Sequence, residues 1–162
     1  MAGAAISYEQ AELRAAIRDV EEGLDRIEDG EELLDEIGAY LETIVRLRFE
    51  REVGPDGEPW APTRRGFSIL KGSPPRLMSS ITRHTSSDRT EVGTNVLYAA
   101  IHQFGGTVRP KRARALVFTA PDGTRVFALK VVIPARPFLG IDEADESAIE
   151  EIVADYLAES FQ

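Results

Sequence analysis

From Leu13 the apolar positions recur at steps of three and four, through Ile17, Val20, Leu24 and Ile27, the period of one helical face. Ser7 and Gln10 stand just ahead of this run with the spacing of a capping box, so the pattern predicts a helix from about Ser7 to Asp29. Gly30 interrupts it. A second periodic segment carries Leu33, Leu34, Ile37, Tyr40, Leu41, Ile44, Val45 and Leu47 and fades near Val53 and Gly54. So short a connection predicts an antiparallel helical hairpin, each arm roughly 30 Å long at about 1.5 Å per residue. The first arm has a narrow apolar stripe and outward charges, which suits folding back on one neighbour.

The helical period stops at Gly54, where three prolines and two glycines occupy residues 54–62. Gly54-Pro55-Asp56-Gly57 has Pro at the second and Gly at the fourth position of a turn, which predicts a compact loop pinned by Trp60. Residues 63–76, rich in Arg, Gly, Ser and Pro, read as irregular, and Leu77, Met78 and Ile81 read as a short helix after Pro75. Strands are expected near Ile81 to Ser86 and Arg89 to Gly93, then a helical turn or two from Val96 to Phe104, ended by Gly105-Gly106. Leu116 to Thr119 and Arg125 to Leu129 flank Pro121-Asp122-Gly123 as a β-hairpin. Their alternation is weak, which predicts an exposed hairpin reaching beyond the body. Ile141 to Phe161 returns to helical spacing, with Asp142, Glu143 and Asp145 at the end where the helix dipole favours acids. The expected fold class is α+β: a long N-terminal helical hairpin over residues 1–53, then a body over 54–162 with a small, mostly antiparallel sheet, a protruding β-hairpin and a C-terminal helix. The whole is expected to form one domain, as 162 residues allow.

Charge divides the chain more sharply than its net value of −9 suggests. Residues 1–60 hold 17 acids and 6 bases, 61–136 hold 3 acids and 13 bases, and 137–162 hold 8 acids and no base. Such blocks attract one another. Either the acidic ends fold over the basic middle, or they face neighbouring subunits. The chain has no Cys, which removes disulfides, thiolate metal sites and cysteine nucleophiles and suits a reducing cytoplasm. No apolar run approaches the roughly 20 residues of a membrane span, and the amino terminus lacks a secretory pattern. The expectation is a protein soluble where it is made, with no membrane partner.

Catalytic chemistry finds little support. His84 and His102 are the two histidines, without the spacing of a metal site, and no Gly-x-Ser-x-Gly elbow, Walker loop or dinucleotide fingerprint occurs. Neither enzyme activity nor a cofactor or metal is expected. His102 reads as a packed or hydrogen-bonded side chain and His84 as a strand residue facing water. The cluster Arg109, Lys111, Arg112 and Arg114 could neutralise phosphates, but the acidic pI and the lack of a recognition helix or stacking aromatics favour a protein partner over DNA. Trp60, Tyr98, Phe104 and Phe138 sit in Gly/Pro-punctuated stretches suited to packing, in a core or at an interface. Arg136, held between Pro134 and Pro137, presents a guanidinium at low entropic cost to a carboxylate, whether of its own chain or of a neighbour.

Phe49, Pro55-Asp56-Gly57-Glu58-Pro59-Trp60, Val92-Gly93-Thr94, Tyr98-Ala99-Ala100-Ile101-His102-Gln103-Phe104-Gly105-Gly106 and Ile133-Pro134-Ala135-Arg136-Pro137-Phe138-Leu139-Gly140 follow one another in this order. In these features, from Phe49 to Leu157, the chain resembles the virion morphogenesis, or tail completion, proteins of Mu-type tailed phages and prophages. It departs from them at Pro75-Arg76-Leu77, where a leucine and a glycine are expected. The resemblance implies a structural virion protein at the head-tail neck, a ring of six copies assembled in the host cytoplasm. Its partners would be the tail tube or tail terminator on one side and the head connector or stopper on the other. Genome DNA would pass through the lumen without specific binding; the alternative is a DNA-contacting neck or packaging factor using residues 109–114. Trp60, Tyr98, His102, Phe104, Arg109, Lys111, Arg112, Arg114, Arg136 and Phe138 are the candidate interface residues.

Overall fold

A computed structural model describes residues 4–9, 30–62, 70, 76–120 and 123–160. The predicted second helix is the backbone of the core: α1, Gly30–Arg51, buries Leu33, Leu34, Ile37, Leu41, Val45 and Phe49 along one stripe. Glu31 and Glu32 open it and Arg48 and Arg51 close it, the charge order the helix dipole favours. Its apolar stripe lies on a sheet of β2, Thr82–Ser86, and β3, Arg89–Thr94, entered through a 3-10 turn at Met78–Ser80. The approach is close at Gly38, where a Cβ would fall 2.3 Å from the Thr90 hydroxyl. Beside it, Arg83 of β2 pairs with Asp35 at 2.9 Å and Glu42 at 3.3 Å. The hydrogen bond from Arg83 is the main cause that holds the Asp35 carboxyl below its usual range.

The third strand of this sheet corrects the sequence reading. Ala4–Glu9 forms β1, antiparallel to β3 from Ala4↔Thr94 to Glu9↔Arg89, giving the order β1-β3-β2. Ser7, expected to cap a helix, is therefore in a strand. The free edge of β3 offers a row of backbone donors and acceptors, and pairing with it overrides a local capping signal. The remainder of the predicted first helix, residues 10–29, lies outside the described residues, as does most of the irregular segment 63–76.

A short helix, α2, spans Ala99–Phe104, and the C-terminal helix, α3, spans Glu143–Ser160. Asp142 caps α3: its Oδ1 accepts the Asp145 N–H at 2.8 Å, while Asp145 Oδ2 accepts the Asp142 N–H at 3.2 Å, a capping box built from two aspartates. Ile149, Val153 and Leu157 of α3 are buried in the core cluster shared with α1. Arg48, 5% exposed, donates to the Asp145 carboxylate and, at 2.5 Å, to the Gly140 carbonyl. The Tyr40 hydroxyl donates to the same carboxylate at 3.1 Å, and burial, then the charge of Asp145, push the phenol up to about 12.

Between α2 and α3 the chain runs out and back. β4, Gly106–Val108, pairs with β7, Val131–Ile133, and the inner strands β5, Leu116–Thr119, and β6, Arg125–Ala128, pair with each other, both antiparallel. Two hydrogen bonds of 2.8 Å, from the Gly123 N–H to Ala120 and from the Ala120 N–H to Thr124, close the hairpin where the sequence predicts it. The fold is α+β, with small antiparallel sheets and a C-terminal helix, as its patterning predicts.

Candidate functional site

The three aromatic stretches separated in sequence by some forty residues meet in one knot. The loop after α1 folds as the Pro-Asp-Gly spacing requires: the Gly57 N–H returns to the Gly54 carbonyl at 3.0 Å and the Trp60 N–H to Glu52 at 2.8 Å. This carries the Trp60 ring edge-on to Phe49 at 5.4 Å, and Phe138 packs on Phe49 at 5.0 Å. The Trp60 indole N–H then donates to the Pro137 carbonyl at 2.8 Å. Trp60 and Phe138 are thus core residues of their own chain, and both are buried.

From the opposite side α2 grips the same segment. Gln103 accepts the N–H groups of Phe138 and Leu139 on its Oε1, each at 3.0 Å, and donates its amide to the Leu139 carbonyl at 2.8 Å. The Arg136 N–H reaches the His102 carbonyl at 2.7 Å. Gly105 leaves α2 at φ +70°, and a Cβ there would lie 2.7 Å from the Ala135 nitrogen; only glycine fits so close a crossing at that backbone angle. On the far end Pro55 packs against Gly140, where a Cβ would meet its ring at 2.4 Å.

Arg136 points inward. It is 7% exposed and donates from Nε to the Ala61 carbonyl at 3.0 Å, and among the described residues no carboxylate pairs with it. His102 is half-buried, edge-on to Tyr98 at 5.9 Å, and its Nδ1 has no hydrogen-bond partner among the described residues. Burial, and then the positive charge of Arg136, lower its pKa and favour the neutral imidazole. His84 faces solvent on β2, as expected. No group of three or more His, Asp or Glu among the described residues could hold a metal ion, and no described helix is long and apolar enough to cross a membrane.

The knot staples together the two roots of the ribbon 106–133, and that ribbon is where the surface chemistry lies. Among the described residues, every large apolar side chain left exposed falls between Leu97 and Val132. Tyr98 and Phe104, the latter 75% exposed, flank α2 on the outside, and Arg109, Lys111, Arg112 and Arg114 are exposed between β4 and β5. Six of the ten candidates therefore face outward in one stretch, His102 lies between, and Trp60, Phe138 and Arg136 build the support. Two supporting residues escaped the sequence reading. Arg48 stands in phase with Leu41 and Val45 on the apolar stripe, a signal that its charge is buried; Gln103 lies four residues from buried Ala99, the same signal on a shorter helix.

A family model described as the phage virion morphogenesis family matches residues 11–158. The chain belongs to this family. The match begins well before Phe49 and so includes the acidic N-terminal segment. The Mu-like prophage FluMu G protein 2 of Haemophilus influenzae is 37% identical over 128 residues, 76% of this chain and 75% of that protein. The putative capsid assembly protein G of Escherichia phage Mu is 29% identical over 72% of each chain. The tail completion protein S of Escherichia phage P2 is 28% identical over 75% of this chain and 80% of its own. No solved structure matches the chain. Family membership assigns it a structural part in virion morphogenesis, and two of these relatives are named as a putative capsid assembly protein and a tail completion protein.

Proposed function

We propose that this chain completes the phage tail at the neck of the virion, as a ring of six identical copies between the tail tube or tail terminator and the head connector or stopper. One observation carries the reading: a solvent-exposed, apolar and basic ribbon stands on a buried knot of interlocked motifs. Side chains such as Phe104 and Phe127 are left in water by the single chain and are covered only in an assembly. The acidic helices supply the opposite charge, and an interface between unlike surfaces that closes on itself gives a ring. The genome passes through the lumen of that ring without specific contact. The relative named as a tail completion protein supports the placement at the tail.

A second reading rests on the four exposed cations Arg109, Lys111, Arg112 and Arg114: a neck protein that touches the DNA backbone there would bind duplex DNA with a steep salt dependence. Particle composition separates the proposal from a free assembly factor. Cryo-electron microscopy and mass spectrometry of purified particles should find this chain in a ring at the head-proximal end of the tail. Its absence from finished particles, or its distribution along the tail tube, overturns the proposal.

A further inference from the structure

We propose that the ribbon formed by β4 to β7 is an assembly arm, and that its occupant is the acidic outer face of α3 in a second copy of this chain. The inference rests on the ring reading above and specifies its contact. A two-stranded hairpin alone is marginally stable in water, yet β5 and β6 pack chiefly on each other and no described helix is laid across them. Their cross-strand partners are apolar on both faces: Val117 opposes Phe127 on one, Phe118 opposes Val126 on the other. Phe127 is 66% exposed and Leu129 76%. A sheet apolar on both sides is made to be covered.

The covering surface must also answer the charge of the arm. Between Leu97 and Val132 the sequence holds six bases and one acid, and Arg125 lies over the Phe127 ring at 6.0 Å. The solvent face of α3 is the complement, because the helix carries no base and exposes Glu143, Glu146, Glu150, Glu151 and Asp155. Among these carboxylates the small side chains Ala144, Ser147 and Ala154 are also exposed, which leaves room for an aromatic side chain to lie flat on the helix. Within its own chain α3 packs chiefly on α1. Arm on helix is a contact between unlike surfaces, so each copy offers one of each and the assembly continues from copy to copy until it closes. Opposite charge sets the register, and the apolar residues supply the buried area.

Light scattering and native mass spectrometry of the purified full chain test this. Wild type should be an oligomer whose mass falls as salt rises. Arg112→Glu with Arg114→Glu, and separately Glu146→Lys with Glu150→Lys, should each give a folded monomer by circular dichroism, since all four side chains are exposed. One chain carrying all four reversals should regain the oligomer, a rescue that disruption of the fold would not produce. Phe127→Asp should stay monomeric in either background. An oligomer unchanged by both reversals overturns the arm-on-helix contact and leaves the ring reading standing. A wild-type chain that is monomeric at every concentration overturns the homotypic occupant, while its presence in particles is tested separately. Duplex DNA bound by wild type and lost in Arg112→Glu with Arg114→Glu, without oligomers, assigns the arm to nucleic acid and also overturns it.

Discussion

The side-chain amide of Gln103 replaces a strand partner for Leu139: it takes the Leu139 N–H on its oxygen at 3.0 Å and fills the Leu139 carbonyl with its nitrogen at 2.8 Å. A third bond, from the Phe138 N–H to the same oxygen, completes the grip. One residue of a six-residue helix thereby holds the extended segment Pro134 to Gly140 on the core. Gln103→Leu should leave three backbone groups without partners and cost about 2–4 kcal/mol, since each unsatisfied buried group costs roughly 1–3 kcal/mol and water recovers part of that. Urea unfolding measures it; a loss under about 1 kcal/mol would mean that the segment is held by its other contacts and not by Gln103.

Arg48 and Asp145 tie the end of α1 to the start of α3 in a buried ion pair. Removing one partner strands the other's charge, so Arg48→Met or Asp145→Leu alone should each cost about 3–5 kcal/mol, while the double replacement should cost less than the sum of the two. A double-mutant cycle by chemical denaturation checks this. Additive losses would show that the two groups do not act as a pair.

Gly105→Ala forces a side chain into a backbone angle that suits glycine and against the Ala135 nitrogen. The backbone strain alone is roughly 1–3 kcal/mol. Because the crossing sets the root of the arm, assembly should suffer more than monomer stability. Comparing thermal unfolding with oligomer mass separates the two effects.

His102 supplies a pH dependence with a definite sign. Its folded pKa lies below the ordinary 6.5, through burial and the charge of Arg136, so the unfolded chain binds the proton more readily. The stabilising neutral form is intact above pH 6.5 and stability falls as pH drops through the window below it. Between pH 7 and pH 5 wild type should therefore lose more melting temperature than His102→Gln, measured by calorimetry. Equal losses would remove His102 as the cause.

The described helices, the strands of β2 and β3, the β-hairpin of β5 and β6 and the turn at Gly54 are legible because each follows a local rule: period, punctuation or a charge at a helix end. Ser7 was misread for a physical reason, since the strand it joins is dictated by the open edge of β3, eighty residues away and invisible to local pattern. The candidate site was readable as three motifs but not as one knot. Nothing in the spacing of Trp60, Gln103 and Phe138 states that they surround a single segment. Arg136 shows the same limit: flanking prolines describe how it is presented, not that it is presented inward to the Ala61 carbonyl.

Deleting the gene for this chain from the encoding phage and counting particle types by electron microscopy asks whether the protein completes the tail and joins it to the head. Filled heads and unjoined tails should then stand side by side, with infectious titre restored when purified protein is added to the extract. Intact, infectious particles formed at the normal rate without the chain would contradict that role.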